Sequence, residues 1–164
     1  MQKPIYAFID SQNLNLGVRS QGWVLDFRKF RIHLKDKYGV QKAFLFIGYI
    51  PDKQPLYDYL KSSGFTLIFK PTVEKTVIGE VTTKGNVDAE LVLYCMIEIP
   101  NYSKAVIVSG DGDFYCLVEY LQKKNRLLKI ITPNQKYSSL LRKYSSYISV
   151  ISLFRKMVED KKKK

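Results

Sequence analysis

Short apolar runs alternate with segments of helical periodicity along the chain, and this alternation constrains the fold more than any other feature. The runs are rich in β-branched and aromatic residues and occupy residues 5–10, 43–50, 65–70, 105–110 and 127–132, with a sixth candidate at 147–152. Because they are almost continuously apolar, they are typical of parallel strands covered on both faces. The pattern predicts an α/β fold with right-handed crossovers around a central, mainly parallel sheet of five or six strands.

Amphipathic segments between the strands predict helices. Stripes of apolar residues indicate helices at 26–39, 53–64, 86–99 and 113–125, and weaker patterns indicate two more at 134–145 and 152–164. Residues 71–86 are rich in Thr and Lys and break the rhythm, which predicts a long loop or a small hairpin. No linker or repeat divides the chain, so we expect one domain over residues 1–160, followed by a basic tail at 161–164.

The charge balance favours a polyanionic partner. Lys and Arg number 27 against 15 acidic residues, which gives a formal net charge of +12, and +8 remains without the four terminal lysines. No apolar run approaches the ~20 residues that cross a bilayer, and no strongly amphipathic basic helix stands out, so nucleic acid is preferred over a membrane surface. The strand-like start leaves no room for a signal peptide, and a cytoplasmic protein is expected.

The cysteines and the histidine do not suggest a catalytic or zinc site. Cys95 and Cys116 lack CxxC spacing and are expected to be buried, inert thiols. His33 is the only histidine, and it is expected to be solvated on the basic face of a helix. These three residues are too few for a zinc site, and no Ser-His-Asp or Cys-His arrangement competes with the acidic residues considered next.

Acidic residues follow two of the predicted strands. Asp10 follows the first strand, and Asp111 and Asp113 follow the fourth. Ligands of open parallel sheets bind beyond the carboxyl ends of the strands, so a strand order of 3-2-1-4-5 would bring these side chains into one crevice. The alternative for Asp113 is a structural role, as the N-cap of the helix that follows it.

Asp88 is a further candidate because it shares the apolar stripe of its helix with Leu91, Val92 and Cys95. A carboxylate on a buried helix face is costly unless it is paired or coordinated. Interaction with the helix dipole, or pairing with Lys84, are the alternatives that the sequence leaves open.

Taken together, these carboxylates predict a site for a hard divalent cation. Four carboxylates at one sheet edge would repel one another without a cation. Ligation by oxygen alone favours Mg²⁺ or Mn²⁺ over zinc. Such a site can activate water and neutralise the charge of a phosphodiester under attack.

Three motifs stand out in the chain, FIDSQNL at 8–14, KGNVDAELVL at 84–93 and SGDGDFYCLV at 109–118. They resemble the motifs of NYN domains, of the PIN-like nuclease superfamily, in the LabA-like bacterial branch, and the resemblance extends from Ile5 to about Phe154. It implies a PIN-like, Rossmannoid three-layer sandwich with a metal-dependent endoribonuclease site.

The resemblance also implies roles for individual residues. Asp10, Asp88, Asp111 and Asp113 would be catalytic metal ligands. Asn13 would orient the carboxylates or the scissile phosphate, Ser109 would bond a phosphate or a ligand carboxylate, and Lys84 would neutralise an RNA phosphate. Gly112 stands where many relatives have Ser, and Tyr94 and Cys95 occupy a region where some relatives carry another acid, so the number of bound ions stays open.

The implied partner is RNA. A single strand is expected, because single-stranded RNA is held by cationic grooves and stacks on aromatic rings, and the sequence offers candidates for both. Arg19 and Lys75, with Lys70 and Lys84, are candidates to line the groove, and Trp23, Tyr49 and Tyr137 are candidates for stacking. A solvated or packing role is the alternative for each, and a homodimer is left open.

Two other functions compete with the nuclease. One is a non-catalytic RNA-binding or regulatory module with the same fold. The other is a phosphohydrolase of the haloacid-dehalogenase type, which is disfavoured because Gln12 stands where that chemistry needs a second Asp.

Overall fold

Six parallel strands form the central sheet in the computed structural model. The structure describes residues 2–71, 73–77, 80–84 and 87–162. Between residues 71 and 86 it describes only the backbones of the strands. The strands are β1 (Ile5–Asp10), β2 (Val40–Tyr49), β3 (Phe65–Pro71), β4 (Val73–Val77), β5 (Glu80–Lys84), β6 (Lys104–Val108), β7 (Leu127–Thr132) and β8 (Ile148–Val150). The sheet order is β3-β2-β1-β6-β7-β8, while β4 and β5 pair separately as an antiparallel hairpin. The predicted parallel sheet is therefore confirmed, β1 and β6 are neighbours as the single-crevice hypothesis requires, and the hairpin is the alternative to a long loop that the structure adopts.

Helices cover both faces of the sheet. They are α1 (Ser11–Arg19), α2 (Phe27–Tyr38), α3 (Gln54–Ser62), α4 (Asp88–Ile97), α5 (Tyr115–Lys123) and α6 (Arg155–Val158), with 3₁₀ turns at Ile99–Asn101, Gly112–Phe114, Ser139–Tyr147 and Ile151–Phe154. Along β1, Ala7 and Ile9 pack in the core beneath α1 and α2, whereas Phe8 packs in the core beneath α4 and α5. This alternation makes the three-layer sandwich that the sequence predicts.

Helix α1 is the element that the sequence patterns do not predict. It begins directly after β1, and Leu14 and Val18 are its buried apolar residues among polar neighbours. Asp10 caps it by accepting a hydrogen bond from the backbone N–H of Asn13 at 3.2 Å. A cap that is also the last residue of a strand leaves no loop to mark the helix start.

The C-terminal helices are shorter than predicted. In place of a helix over 152–164, a 3₁₀ turn and the four-residue α6 are followed by a bridge between Leu25 and Glu159. The segment predicted as a weak helix at 134–145 forms the 3₁₀ turn Ser139–Tyr147. Among the described helices, none has the length and apolar character needed to cross a membrane.

Three side chains differ from their expected environments. His33 is buried because the rings of Tyr38 and Phe154 pack against it, and Trp23 is buried in the core and is not exposed for stacking. Cys116 is exposed, because it lies on the outer face of α5, so only Cys95 is a buried thiol.

Candidate acidic metal site

The carboxyl ends of β1 and β6 lie side by side at one edge of the sheet. The two strands pair in parallel, with Ile9 opposite Val108. Asp10 ends β1, and the turn that contains Asp111 directly follows β6. Asp88 enters from a third element, as the first residue of α4, which packs against β1.

Three of the four predicted acidic residues form one cluster. Carboxylate oxygens of Asp10, Asp88 and Asp111 lie within 4.8 Å of one another, and Asp10 is only 5% exposed. Within the described residues this is the group of acidic, His or Cys side chains that could hold a metal ion. Asp113 is not part of the group, and its side chain is exposed.

Two members of the cluster are fixed because they also cap helices. One oxygen of Asp10 caps α1, and Oδ1 of Asp111 accepts from the backbone N–H of Asp113 at 2.9 Å to cap the turn Gly112–Phe114. The alternative role of Asp113 as the N-cap of the following helix is wrong, because α5 begins at Tyr115 with Phe114 in the N-cap position. Capping restrains each carboxylate before any ligand arrives.

Ser109 and Asn13 hold the two acidic turns together. The buried Ser109 hydroxyl accepts from the backbone N–H of Asp111 at 3.1 Å and makes a long contact of 3.5 Å to Asp10 Oδ2. Oδ1 of Asn13 accepts from the backbone N–H of Gly110 at 2.9 Å. In this arrangement Ser109 bonds a carboxylate of the cluster, and Asn13 fixes the turn after β6 against α1.

The electrostatics of the cluster fit a bound cation. Burial, with a smaller effect from the negative charges of Asp88 and Asp111, raises the pKa of Asp10 to about 6, while the Asn13 N–H and the Ser109 hydroxyl oppose the shift. A buried carboxylate beside two others is unfavourable unless a positive charge offsets the repulsion. The donor set consists of carboxylate oxygens alone, which suits Mg²⁺ or Mn²⁺.

The structure describes the side chains of only some of the predicted RNA-binding residues. Arg19 is exposed in the last turn of α1, where its Nε lies 3.5 Å from Asn15 Oδ1. The side chains of Lys75 and Lys84 lie outside the described residues, although their backbones pair in the hairpin β4–β5. Lys70 forms an ion pair of 3.7 Å with Glu90.

The segment around Ser138 contacts the site, which the sequence patterns do not predict. Its backbone N–H donates to the carbonyl of Gly110 at 3.0 Å, so the segment packs on the turn that carries Asp111. This contact joins residues far apart in the chain, and no local motif marks it.

Gly112 is required by that packing. A Cβ at this position would collide with the Ser138 side chain and would lie 3.1 Å from Leu140 Cδ1. The frequent Ser of related motifs would meet the same obstacle here.

We expect Gly112→Ala to lower the free energy of unfolding by about 1–3 kcal/mol, because the added methyl overfills the contact. Where space is available, the same substitution usually stabilises a protein. Urea denaturation would measure the change, and adding Ser138→Gly should recover part of the loss. A Gly112→Ala protein as stable as the wild type would contradict this packing.

Comparisons with known proteins agree with the fold and the motifs. The NYN domain family model matches residues 4–152. Low amplitude and bright protein LabA from Synechococcus elongatus is 24% identical over 132 residues, covering 76% of this chain and 71% of that protein. The crystal structure of VPA0982, a protein of unknown function from Vibrio parahaemolyticus, has a TM-score of 0.75 at 23% identity and covers 92% of this chain and 93% of its own, which supports the fold. The chain therefore belongs to the NYN domain family, within the PIN-like nuclease superfamily.

Proposed function

We propose that the protein is a metal-dependent endoribonuclease that hydrolyses RNA phosphodiester bonds at the acidic cluster. The observation that carries the proposal is the convergence of Asp10, Asp88 and Asp111 within 4.8 Å at the carboxyl edge of the sheet. In an NYN domain with a formal net charge of +12, this cluster is a local group of acidic side chains on a chain suited to a polyanion.

In this proposal the three clustered carboxylates would hold Mg²⁺ or Mn²⁺. When bound, the ion would activate a water molecule and neutralise charge on the phosphodiester. Asn13 and Ser109 position the carboxylates, because their hydrogen bonds hold Asp10, Asp111 and the turn that follows β6. Asp113, which is exposed and outside the cluster, is assigned to the rim of the site, and Lys84 to an RNA phosphate at its lip.

The substrate proposed is single-stranded RNA. A single strand can bend its phosphate towards the acidic cluster at the sheet edge, whereas the fixed geometry of a duplex restricts that approach. Excess positive charge on the protein predicts that binding weakens steeply as salt rises. A non-catalytic RNA-binding module is the competing function, and the following experiment separates the two.

Removal of divalent ions is expected to abolish cleavage. Labelled single-stranded RNA incubated with the protein and Mn²⁺ should be cut at internal positions, and EDTA should stop cutting because the carboxylates lose the ion between them. Gel analysis of the products, with excess Mn²⁺ added back to the EDTA sample, measures both effects. Cutting that persists in EDTA would contradict the metal site, and binding without any cutting would favour the non-catalytic module.

A further inference from the structure

A groove of about 810 Å³ lies beside α1, on the side of the sheet that carries α2 and α3. Ser11, Asn15 and Arg19 line one wall. These residues are spaced four apart on α1, so they form a row about 12 Å long. The row starts next to Asp10, which means that the groove leads away from the acidic cluster.

The rim of the groove carries excess positive charge. Arg19, Lys29, Lys161 and Lys162 line it, against the acidic residues Asp26 and Asp160. Both acids already accept hydrogen bonds from groove residues. Asp26 Oδ1 accepts from the Lys29 backbone N–H at 3.0 Å and the Tyr59 hydroxyl at 3.2 Å, and Asp160 Oδ1 accepts from the Lys162 backbone N–H at 3.0 Å.

The two C-terminal lysines are placed by an anchored backbone. The N–H of Asp160 donates to the carbonyl of Val24 at 2.8 Å, and Lys29 Nζ donates to the carbonyl of Glu159 at 3.2 Å. Together with the bridge between Leu25 and Glu159, these bonds fix the chain just before Lys161. The lysines therefore belong to the wall of the groove.

The lining between the charged residues is largely apolar, and its members are Val24, Leu25, Phe27, Ile47, Leu56 and Leu60. Ile47 follows Phe46, which is paired with Asp10 in the sheet, so the apolar surface begins at the same edge of the sheet as the acidic cluster, on the face that packs against α2. An apolar floor under a cationic rim matches the chemistry of a single nucleic acid strand, whose bases have apolar faces and whose phosphates are anionic.

We propose that this groove binds the RNA strand on one side of the scissile bond. Arg19, Lys161 and Lys162 contact its phosphates, and the apolar floor receives at least one base. This inference rests on the proposed function, since RNA is the substrate assigned there, and it adds the path by which the strand leaves the acidic cluster.

The test compares two double variants with the same loss of charge. Lys161→Ala/Lys162→Ala removes two cations from the groove. Lys123→Ala/Lys124→Ala removes two exposed lysines at the end of α5, which lies at the opposite edge of the sheet because β7 starts soon after it. Binding of a fluorescein-labelled single-stranded RNA is measured by anisotropy in EDTA, over a series of salt concentrations. Cleavage of the same RNA is measured with Mn²⁺.

The groove variant is expected to bind RNA about tenfold more weakly at moderate salt, and the slope of log K against log salt should become shallower by about 1.4. The control variant should stay within about twofold of the wild type. Equal affinities and slopes for all three proteins would overturn the inference, as would equal losses in both variants.

The cleavage assay separates failure of the groove from failure of the proposed function. If wild-type protein cuts RNA and the groove variant binds and cuts equally well, the groove inference is wrong and the nuclease stands. If no protein cuts RNA but only the groove variant loses binding, the groove is supported and the nuclease is wrong. Binding of phosphatidylserine vesicles in place of RNA, with the same loss in the groove variant, would overturn the assignment to RNA.

Discussion

Asp111→Asn is expected to reduce the rate of metal-dependent RNA cleavage about a thousandfold, which corresponds to about 4 kcal/mol in the activation barrier. The reason is that Asp111 supplies one of the three clustered carboxylates, and a metal site contributes several kcal/mol of charge stabilisation. The fold should survive, because an Asn side chain can still accept the hydrogen bond from the Asp113 N–H that caps the turn. Initial rates on labelled RNA and circular dichroism measure the two effects.

Asp113→Asn is the matched control for this prediction. It removes the same charge from a side chain that lies two residues away, is exposed and stands outside the cluster. We expect less than about a tenfold loss of rate. A loss as large as that of Asp111→Asn would show that Asp113 acts as a ligand, and an Asp111→Asn protein that cuts RNA at the wild-type rate would rule out the proposed site.

The sheet could be predicted from the sequence because its strands are buried on both faces. Phe8 and Ile9 enter different cores although they are neighbours, and only a continuous apolar run satisfies both. Helix α1 could not be predicted in the same way. It directly follows β1 and has only two buried apolar residues, so the sequence shows no clear apolar stripe there. The helix is stabilised instead by its place on the sheet and by the cap from Asp10.

The candidate site was predictable where it depends on sheet geometry and unpredictable where it depends on distant contacts. Asp10 and Asp111 meet because parallel neighbours bring their carboxyl ends to one edge. Which of Asp111 and Asp113 enters the cluster depended on the local conformation of one turn. The groove could not be predicted for another reason. Its C-terminal wall is held in place by a hydrogen bond from Asp160 to Val24, and these residues are far apart in the chain.

Asp10→Asn is expected to stabilise the metal-free protein at pH 7 by about 3 kcal/mol. Burial and two neighbouring carboxylates raise the pKa of Asp10 from 3.8 to about 6 in the folded state, so ionisation of this side chain opposes folding. The substitution removes that charge. It also leaves an oxygen that can accept the N–H of Asn13 and cap α1.

The sign of the effect sets its pH window. Because the folded-state pKa is the higher one, the stability contributed by protonated Asp10 is complete below about pH 4 and is lost as the pH rises through about 6. The difference between Asp10→Asn and wild type should therefore be small at pH 4, grow between pH 4 and 6 and reach its full size near pH 7. Urea denaturation in EDTA across this range measures it, and a variant that is less stable at pH 7 would contradict the electrostatic account.

Addition of Mn²⁺ should reverse the order of the two proteins. The ion is expected to stabilise the wild type by about 4.1 kcal/mol at a thousand times its dissociation constant, which exceeds the advantage of the metal-free variant. The variant should gain much less, because one of its three clustered carboxylates is missing. If Mn²⁺ stabilised both proteins equally, the ion would be bound elsewhere, and the raised pKa of Asp10 would then reflect burial beside two acids without a metal to balance them. The charge that destabilises the empty site is, in this account, the same charge that gives it affinity for the ion.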